Sequence, residues 1–133
     1  MDLLKDIKNY DPIKLSDSVE QGLPFTLYLN FLRQSRFTQN EMARCLSVST
    51  RYLQNKTKSN KLTKPASERL VILIKIWDAG LAVFDGNKKM LSEWLRRPLI
   101  PLRGRAPIQL MTNFIGMEEV RQLFGRIQHG VYS

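Results

Sequence analysis

This chain of 133 residues is poor in the side chains from which reactive and metal centres are built, with one cysteine, Cys45, and one histidine, His129. A single cysteine excludes an internal disulfide and fits a reducing compartment. Cys45 lies beside Met42 and Leu46 in an apolar helical pattern, so it reads as packing. One Cys and one His are too few for a His/Cys metal site. A Ser/His/Asp arrangement would have to use His129, at a helical terminus that offers no rigid pocket. Sustained period-two alternation is missing, and no Gly-rich phosphate loop follows a strand-like run. Catalysis, a cofactor and a small-molecule substrate are therefore not expected. Long uncharged apolar runs are missing too. The most apolar stretch, residues 70–84, contains Lys75 and Asp78, which argues against a membrane span. Asp2 and Asp6 flank the short Leu3-Leu4 pair, which does not read as a signal peptide. The expected location is cytoplasmic.

What the chain has is positive charge, unevenly placed. Its formal net charge is +9. Residues 33–64 set Arg33, Arg36, Arg44, Arg51, Lys56, Lys58, Lys61 and Lys64 against Glu41 alone, a local charge of +7. Residues 1–32 come to −2, 65–84 to zero and 85–133 to +4. A solvated face normally mixes both signs. A one-sign cluster is the electrostatic footprint of a phosphate-backbone partner.

The pattern predicts an all-α chain. Leu3, Leu4 and Ile7 can start a short helix that Pro12 would end. Ser16 can cap a segment stopping at Gly22, and Pro24 suits the first turn of a helix reaching Arg36. Thr38-Gln39-Asn40-Glu41 is the S/T-x-x-E capping box, followed by Met42, Ala43 and Leu46 on one face. Ser47-Val48 makes a turn, and Ser49 can cap a second short helix running to Lys56. Small Ala43 at the crossing and apolar Val48 in the turn complete a helix-turn-helix that resembles the Xre/repressor class. Two positions depart from that class: Ser47 stands where Gly is commoner, and Lys56 where an apolar anchor is usual. In such a motif Gln39 is placed for a phosphate. Ser49 and the N-terminal residues of the second helix, Thr50, Arg51, Gln54 and Asn55, meet the groove, where Arg pairs with guanine and Gln or Asn with adenine. Lys56 and Lys58 suit phosphates, while Lys61 and Lys64 read equally as phosphate contacts or surface cations.

A long connecting helix, 64–84, follows, with Pro65 in its first turn. Leu70, Leu73, Ile74, Trp77, Leu81 and Phe84 form one stripe; Ile72, Ile76, Ala79 and Val83 form another. A helix apolar on two faces needs cover on both, from the flanking modules or a second subunit. We therefore expect a homodimer, with Ile76 exposed on the second stripe. Asp85-Gly86-Asn87 breaks the helix, giving expected domains 1–84 and 85–133. Beyond it, Met90, Leu91, Trp94 and Leu95 mark a helix ended by Pro98, residues 98–107 an ordered loop, and Ile108–Met111 a short helical turn. Val120, Leu123, Phe124 and Ile127 mark a last helix, with Glu118 and Glu119 in its first turn, Arg126 and His129 near its end, and Gly130 as its stop.

The ordered string Asn87-Lys88-Lys89, Glu93-Trp94-Leu95, Pro98, Leu102-Arg103-Gly104-Arg105-Ala106-Pro107, Leu110, Thr112, Gly116, Glu119-Val120, Arg126-Ile127 and Gly130-Val131-Tyr132 resembles the toxin-binding domain of the Xre/MbcA/ParS antitoxin family. The resemblance implies a small helical C-terminal domain that binds and occludes a cognate toxin, in the RES branch one that consumes NAD. It also implies that operator double-stranded DNA is bound by the first module. On this resemblance Arg103, Gly104, Arg105, Arg126, His129, Gly130, Val131, Tyr132 and Ser133 lie near the toxin. Bland roles compete at several of these: Gly104 and Pro107 can simply shape the loop, and Arg105 can pair with Glu93 or Glu119. The alternative function is a free-standing helix-turn-helix repressor whose C-terminal domain only dimerises; a further one, suggested by Ser47 and Lys56, is a structural or adaptor protein that has lost DNA binding.

Overall fold

A computed structural model describes Ile7 and residues 11–130. Among these the secondary structure is helical, the extended pairing being isolated bridges at Pro24–Lys61 and Leu99–Arg105. The chain divides into two compact units, Met1–Ile74 and Lys75–Ser133. Each is described by itself.

In the first unit, Pro12 opens a helix instead of ending one. Asp11 caps α1 (Pro12–Gln21) by accepting from the Ile13 amide at 2.9 Å. Proline at the first helical position gives up only an N–H that had no partner there. Ser16, expected as the cap, is inside α1; the stop at Gly22 is where the sequence places it. Of the expected first helix, Leu3 and Leu4 lie outside the described residues. Helix α2 (Phe25–Ser35) buries Phe25, Leu27, Tyr28 and Phe31 and ends at Arg36, which is left-handed at φ 60°. Burial pushes the Tyr28 phenol up to about 12. Helices α3 (Gln39–Leu46) and α4 (Thr50–Gln54) form the helix-turn-helix. Helix α5 (Lys64–Val83) starts after Thr63, whose hydroxyl accepts from Ala66 N at 3.4 Å, and carries on into the second unit.

The second unit comprises the end of α5, α6 (Lys88–Leu95), a 3₁₀ turn (Ile100–Leu102), α7 (Pro107–Leu110) and α8 (Phe114–Gln128). The Asp85-Gly86-Asn87 turn lies inside this unit, with Asn87 capping α6 through the Met90 amide at 3.0 Å. Its core holds an aromatic series. The Trp94 ring lies 4.9 Å from Phe124 and 5.9 Å from Phe84, both pairs tilted. Such pairs add roughly 0.5–1.5 kcal/mol each beyond the burial itself.

Three sequence expectations fail here, two through tertiary burial and one through a local cap. Met90, placed on the apolar face of α6, is 50% exposed. Ile76, expected to be exposed for a partner subunit, is 1% exposed and belongs to the core. Glu118 and Glu119 are not in the first turn of α8, because Asn113 caps the Gly116 amide at 2.8 Å and starts the helix a turn earlier. Glu118 instead takes a two-pronged contact from Arg121 (2.9 and 2.6 Å), and these hydrogen bonds hold its carboxyl down to about 2.

Glycines fix two close approaches in this unit. A Cβ at Gly80 would meet Leu91 and the Phe124 ring at 2.7–2.8 Å, and one at Gly116 would collide with the Leu110 carbonyl. Gly125, also inside α8, has nothing within 4 Å. Gly116→Ala should therefore destabilise the protein by about 1–3 kcal/mol or more. Gly125→Ala should stabilise it by roughly 0.5–1 kcal/mol, as the reference helical substitution does. Urea unfolding midpoints measured side by side decide whether the two effects have opposite signs.

Candidate functional site

The first unit builds its candidate DNA surface from capped helix starts. Thr38 Oγ1 accepts from the Glu41 amide at 3.1 Å, and Glu41 accepts from the Thr38 amide at 2.8 Å, completing the capping box. Ser47 ends α3 in the left-handed region at φ 58°, and the Val48 amide bonds Ala43 O at 2.9 Å. A serine there adopts what glycine would take more easily, yet the turn closes in the same way. The Ser49 hydroxyl then accepts from Tyr52 N at 3.0 Å and starts α4.

This leaves Arg51, Gln54, Asn55 and Lys58 exposed and Thr50 half-buried. Gln39, half-buried at the start of α3, meets Gln54 directly, with the Gln54 amide donating to Gln39 Oε1 at 3.3 Å. The structure thus joins a residue expected on a phosphate to one expected on a base edge. The Ser49 hydroxyl already serves as a cap. The Lys56 ammonium donates to Lys61 O at 3.0 Å and sits 4.8 Å from the Tyr52 ring centroid. Lys64 is paired with Glu20 at 2.8 Å, and this carboxylate raises its pKa. Cys45, 1% exposed, has its thiol pushed up to about 12, mainly by burial. It is a packing residue.

Sequence reasoning missed what holds this surface in place. The Leu62 amide donates to Leu23 O at 2.8 Å, Phe25 N donates to Asn60 O at 3.0 Å, and Leu23 N donates to the hydroxyl of Ser67 at 2.9 Å. Ser67 is fully buried. A lone Ser among the apolar residues of α5 was the available signal, since a buried hydroxyl needs a partner. Ser67→Ala should strand the Leu23 amide and cost about 1–3 kcal/mol in unfolding free energy. An unchanged denaturation midpoint would show that the hydroxyl is not needed.

In the second unit, residues 99–105 form a small closed loop. Leu99 and Arg105 are bridged, with Leu99 N to Arg105 O at 3.1 Å and Gly104 N to Leu99 O at 2.9 Å. Leu102 and Ala106 point into the core, and the Ala106 amide is held by Gln109 Oε1 at 2.8 Å. Arg103 (φ 58°) and Gly104 (φ 80°) are both left-handed, which turns the chain at the tip. Arg103, Gly104 and Arg105 are exposed, Ile100 is 92% exposed, and neither arginine makes an ion pair among the described residues. Arg126 is half-buried and already engaged with another group, whereas His129 and Gly130 are exposed at the end of α8. Gly130 is left-handed at φ 74°. Val131, Tyr132 and Ser133 lie outside the described residues.

No helix among the described residues is long and apolar enough to cross a membrane. Comparison with known families matches residues 14–75 to the antitoxin Xre-like helix-turn-helix domain. Residues 79–130 match the antitoxin Xre/MbcA/ParS C-terminal toxin-binding domain. The chain is 27% identical over 120 residues to an antitoxin Xre of Photorhabdus laumondii subsp. laumondii, covering 90% of this chain and 81% of that one. It is 28% identical over 120 residues to an antitoxin Xre of Yersinia enterocolitica serotype O:8, with the same coverage. Over 138 residues it is 25% identical to a Prs ADP-ribosylating antitoxin of Sphingobium sp., covering 97% of this chain and 87% of the relative. With both modules matched in order along one chain, this protein belongs to the Xre/MbcA/ParS antitoxin family.

Proposed function

We propose that this type II antitoxin occludes an NAD-consuming, RES-type toxin and represses its own operon by binding operator double-stranded DNA, as a cytoplasmic homodimer without enzymatic activity of its own. The observation that carries this reading is the succession of a helix-turn-helix match over residues 14–75 and a toxin-binding match over 79–130. The +7 segment, residues 33–64, coincides with the first of these, and its exposed Arg51, Gln54 and Asn55 suit base edges. The second supplies the closed 99–105 loop, whose arginines are exposed and make no ion pair among the described residues. A loop ordered before binding loses little freedom on docking, which favours a tight complex. The expected domains, 1–84 for DNA and 85–133 for the toxin, are part of this proposal. For the homodimer, half-buried Ile72 and Val83 are better contact candidates than buried Ile76, and sedimentation at micromolar concentration reads the dimer directly.

DNA binding should be steeply salt-dependent. With about six phosphates neutralised, log K against log salt should have a slope near −5. Arg51→Ala should cost roughly 1–3 kcal/mol and relax base preference, while Lys58→Ala should weaken all sequences alike. No gel retardation of the chain's own promoter at low salt would remove this half of the proposal.

Neutralisation should be separable from DNA binding. Co-expressed with the neighbouring toxin gene, Arg51→Ala should protect cells as the wild type does. Arg105→Glu or deletion of residues 130–133 should restore toxicity while promoter binding persists. Full protection by both variants would move the occluding surface elsewhere. The same cells tell two toxin chemistries apart. The name of the Sphingobium relative points to ADP-ribosylation, which leaves a labelled target protein, whereas NAD depletion without a labelled protein fits the RES-type reading.

A further inference from the structure

Lys56 stands where the DNA-binding reading would use it as one more phosphate contact, but its ammonium is already engaged on both sides. Its Nζ donates to Lys61 O at 3.0 Å and lies 4.8 Å from the Tyr52 ring centroid. Lys56 is half-buried, with its stem laid along the protein, whereas Lys58 and Lys61 are exposed. The same Tyr52 ring ends in a hydroxyl that accepts from the Thr63 amide at 3.0 Å. Between these ties, Asn60 Oδ1 accepts from Thr57 N at 2.7 Å and from the Thr57 hydroxyl at 3.2 Å. Residues 56–63 are therefore a loop closed at three levels, with Lys56 the cation at its mouth. Turning its ammonium out to a phosphate would loosen Lys56 from Lys61 O and from the Tyr52 ring, and so remove the side-chain tie nearest to Lys58 on a stretch that main-chain bonds hold further along, at Asn60 and Leu62.

Resting on the DNA-binding reading, we propose that Lys56 is a positioning residue of the DNA interface. It latches the 56–63 loop shut so that Lys58 and Lys61 are presented to the phosphate backbone, and it carries no phosphate itself. The physical gain is preorganisation: two lysines on an open loop would have to be ordered at the moment of binding. A cation over an aromatic face is well suited to the latch, since it holds without a buried counter-ion.

A double-mutant cycle on the full chain separates a latch from a ligand. The probe is a mixed-sequence duplex several helical turns long, with affinity read by fluorescence anisotropy at low salt. Lys58→Met alone should weaken binding roughly three- to tenfold. Lys56→Met should weaken it at least as much, and adding Lys58→Met to Lys56→Met should cost less than about twofold more, because the released loop no longer places Lys58. Tyr52→Leu, which changes no charge, should reproduce the Lys56→Met loss. Multiplicative losses in the cycle overturn the proposal and make Lys56 a phosphate ligand. Amide exchange at Thr63 gives a readout free of DNA: it should accelerate in Lys56→Met while the helical circular-dichroism signal stays unchanged. Unchanged Thr63 exchange overturns the latch even if the wild type binds DNA. A wild type that binds no duplex overturns the DNA-binding reading, with or without the exchange effect.

Discussion

Gly22 lies so close to Leu62 that no Cβ fits between it and the Leu62 carbonyl, and there the chain is tied to itself by main-chain atoms. The Leu62 amide reaches Leu23 O, the Phe25 amide reaches Asn60 O, and the Leu23 amide reaches the Ser67 hydroxyl. Side-chain packing alone would let the segment after α4 slide, because that segment has little apolar surface: Thr57, Lys58, Ser59, Asn60 and Lys61 are exposed. Hydrogen bonds between main-chain groups fix it instead, and directional contacts set position better than apolar ones do. The placement of the candidate DNA surface depends on this junction. It links the start of α2, the loop after α4 and the first turns of α5 in one small region.

The two candidate surfaces reach rigidity by the same route. Each includes a short hydrogen-bonded loop, closed by main-chain bonds in 99–105 and by side-chain bonds in 56–63, with one buried leucine as anchor and exposed cations beside it. Leu62 plays that part in the first unit and Leu102 in the second. A basic side chain on a tethered loop is a better recognition element than one on a free tail, since fewer rotations are lost on contact. Charge on a fixed frame is the common theme.

How far this was legible in the sequence depended on whether the deciding interaction was local. Thr38 with Glu41, Ser49 with Tyr52, and Gly130 as a stop are decided within three or four residues, and each stands where the sequence puts it. The all-α architecture followed, because helix starts and stops are mostly local chemistry. Pro12 was misread because proline either ends a helix or opens one, and only the Asp11 cap decides which. Glu118 looked like a helix-dipole partner until Asn113 proved to be the cap. Met90 and Ile76 could not be assigned from periodicity, since which flank of an apolar stripe is covered depends on tertiary neighbours. At the candidate DNA surface, exposed Arg51, Gln54 and Asn55 suit the roles read from helix position, but the Gln39–Gln54 contact joins residues fifteen apart and left no local trace. The Lys56 contact with the Tyr52 ring is four residues apart and so has a local basis, but the charge of Lys56 pointed to a phosphate instead.

The 99–105 loop divides its residues into two kinds. Leu102 and Gly104 make the shape: one fills the core and the other supplies a left-handed turn. Ile100 and Arg105 are almost pure surface, and their replacement leaves the hydrogen-bonded ring of the loop intact. Arg103 stands between, exposed but left-handed, so a β-branched replacement there would strain the turn. Inheritance can therefore rewrite positions 100 and 105 freely while the frame stays the same. Changes at these two positions alter the surface that the loop offers while its folded frame persists at every step.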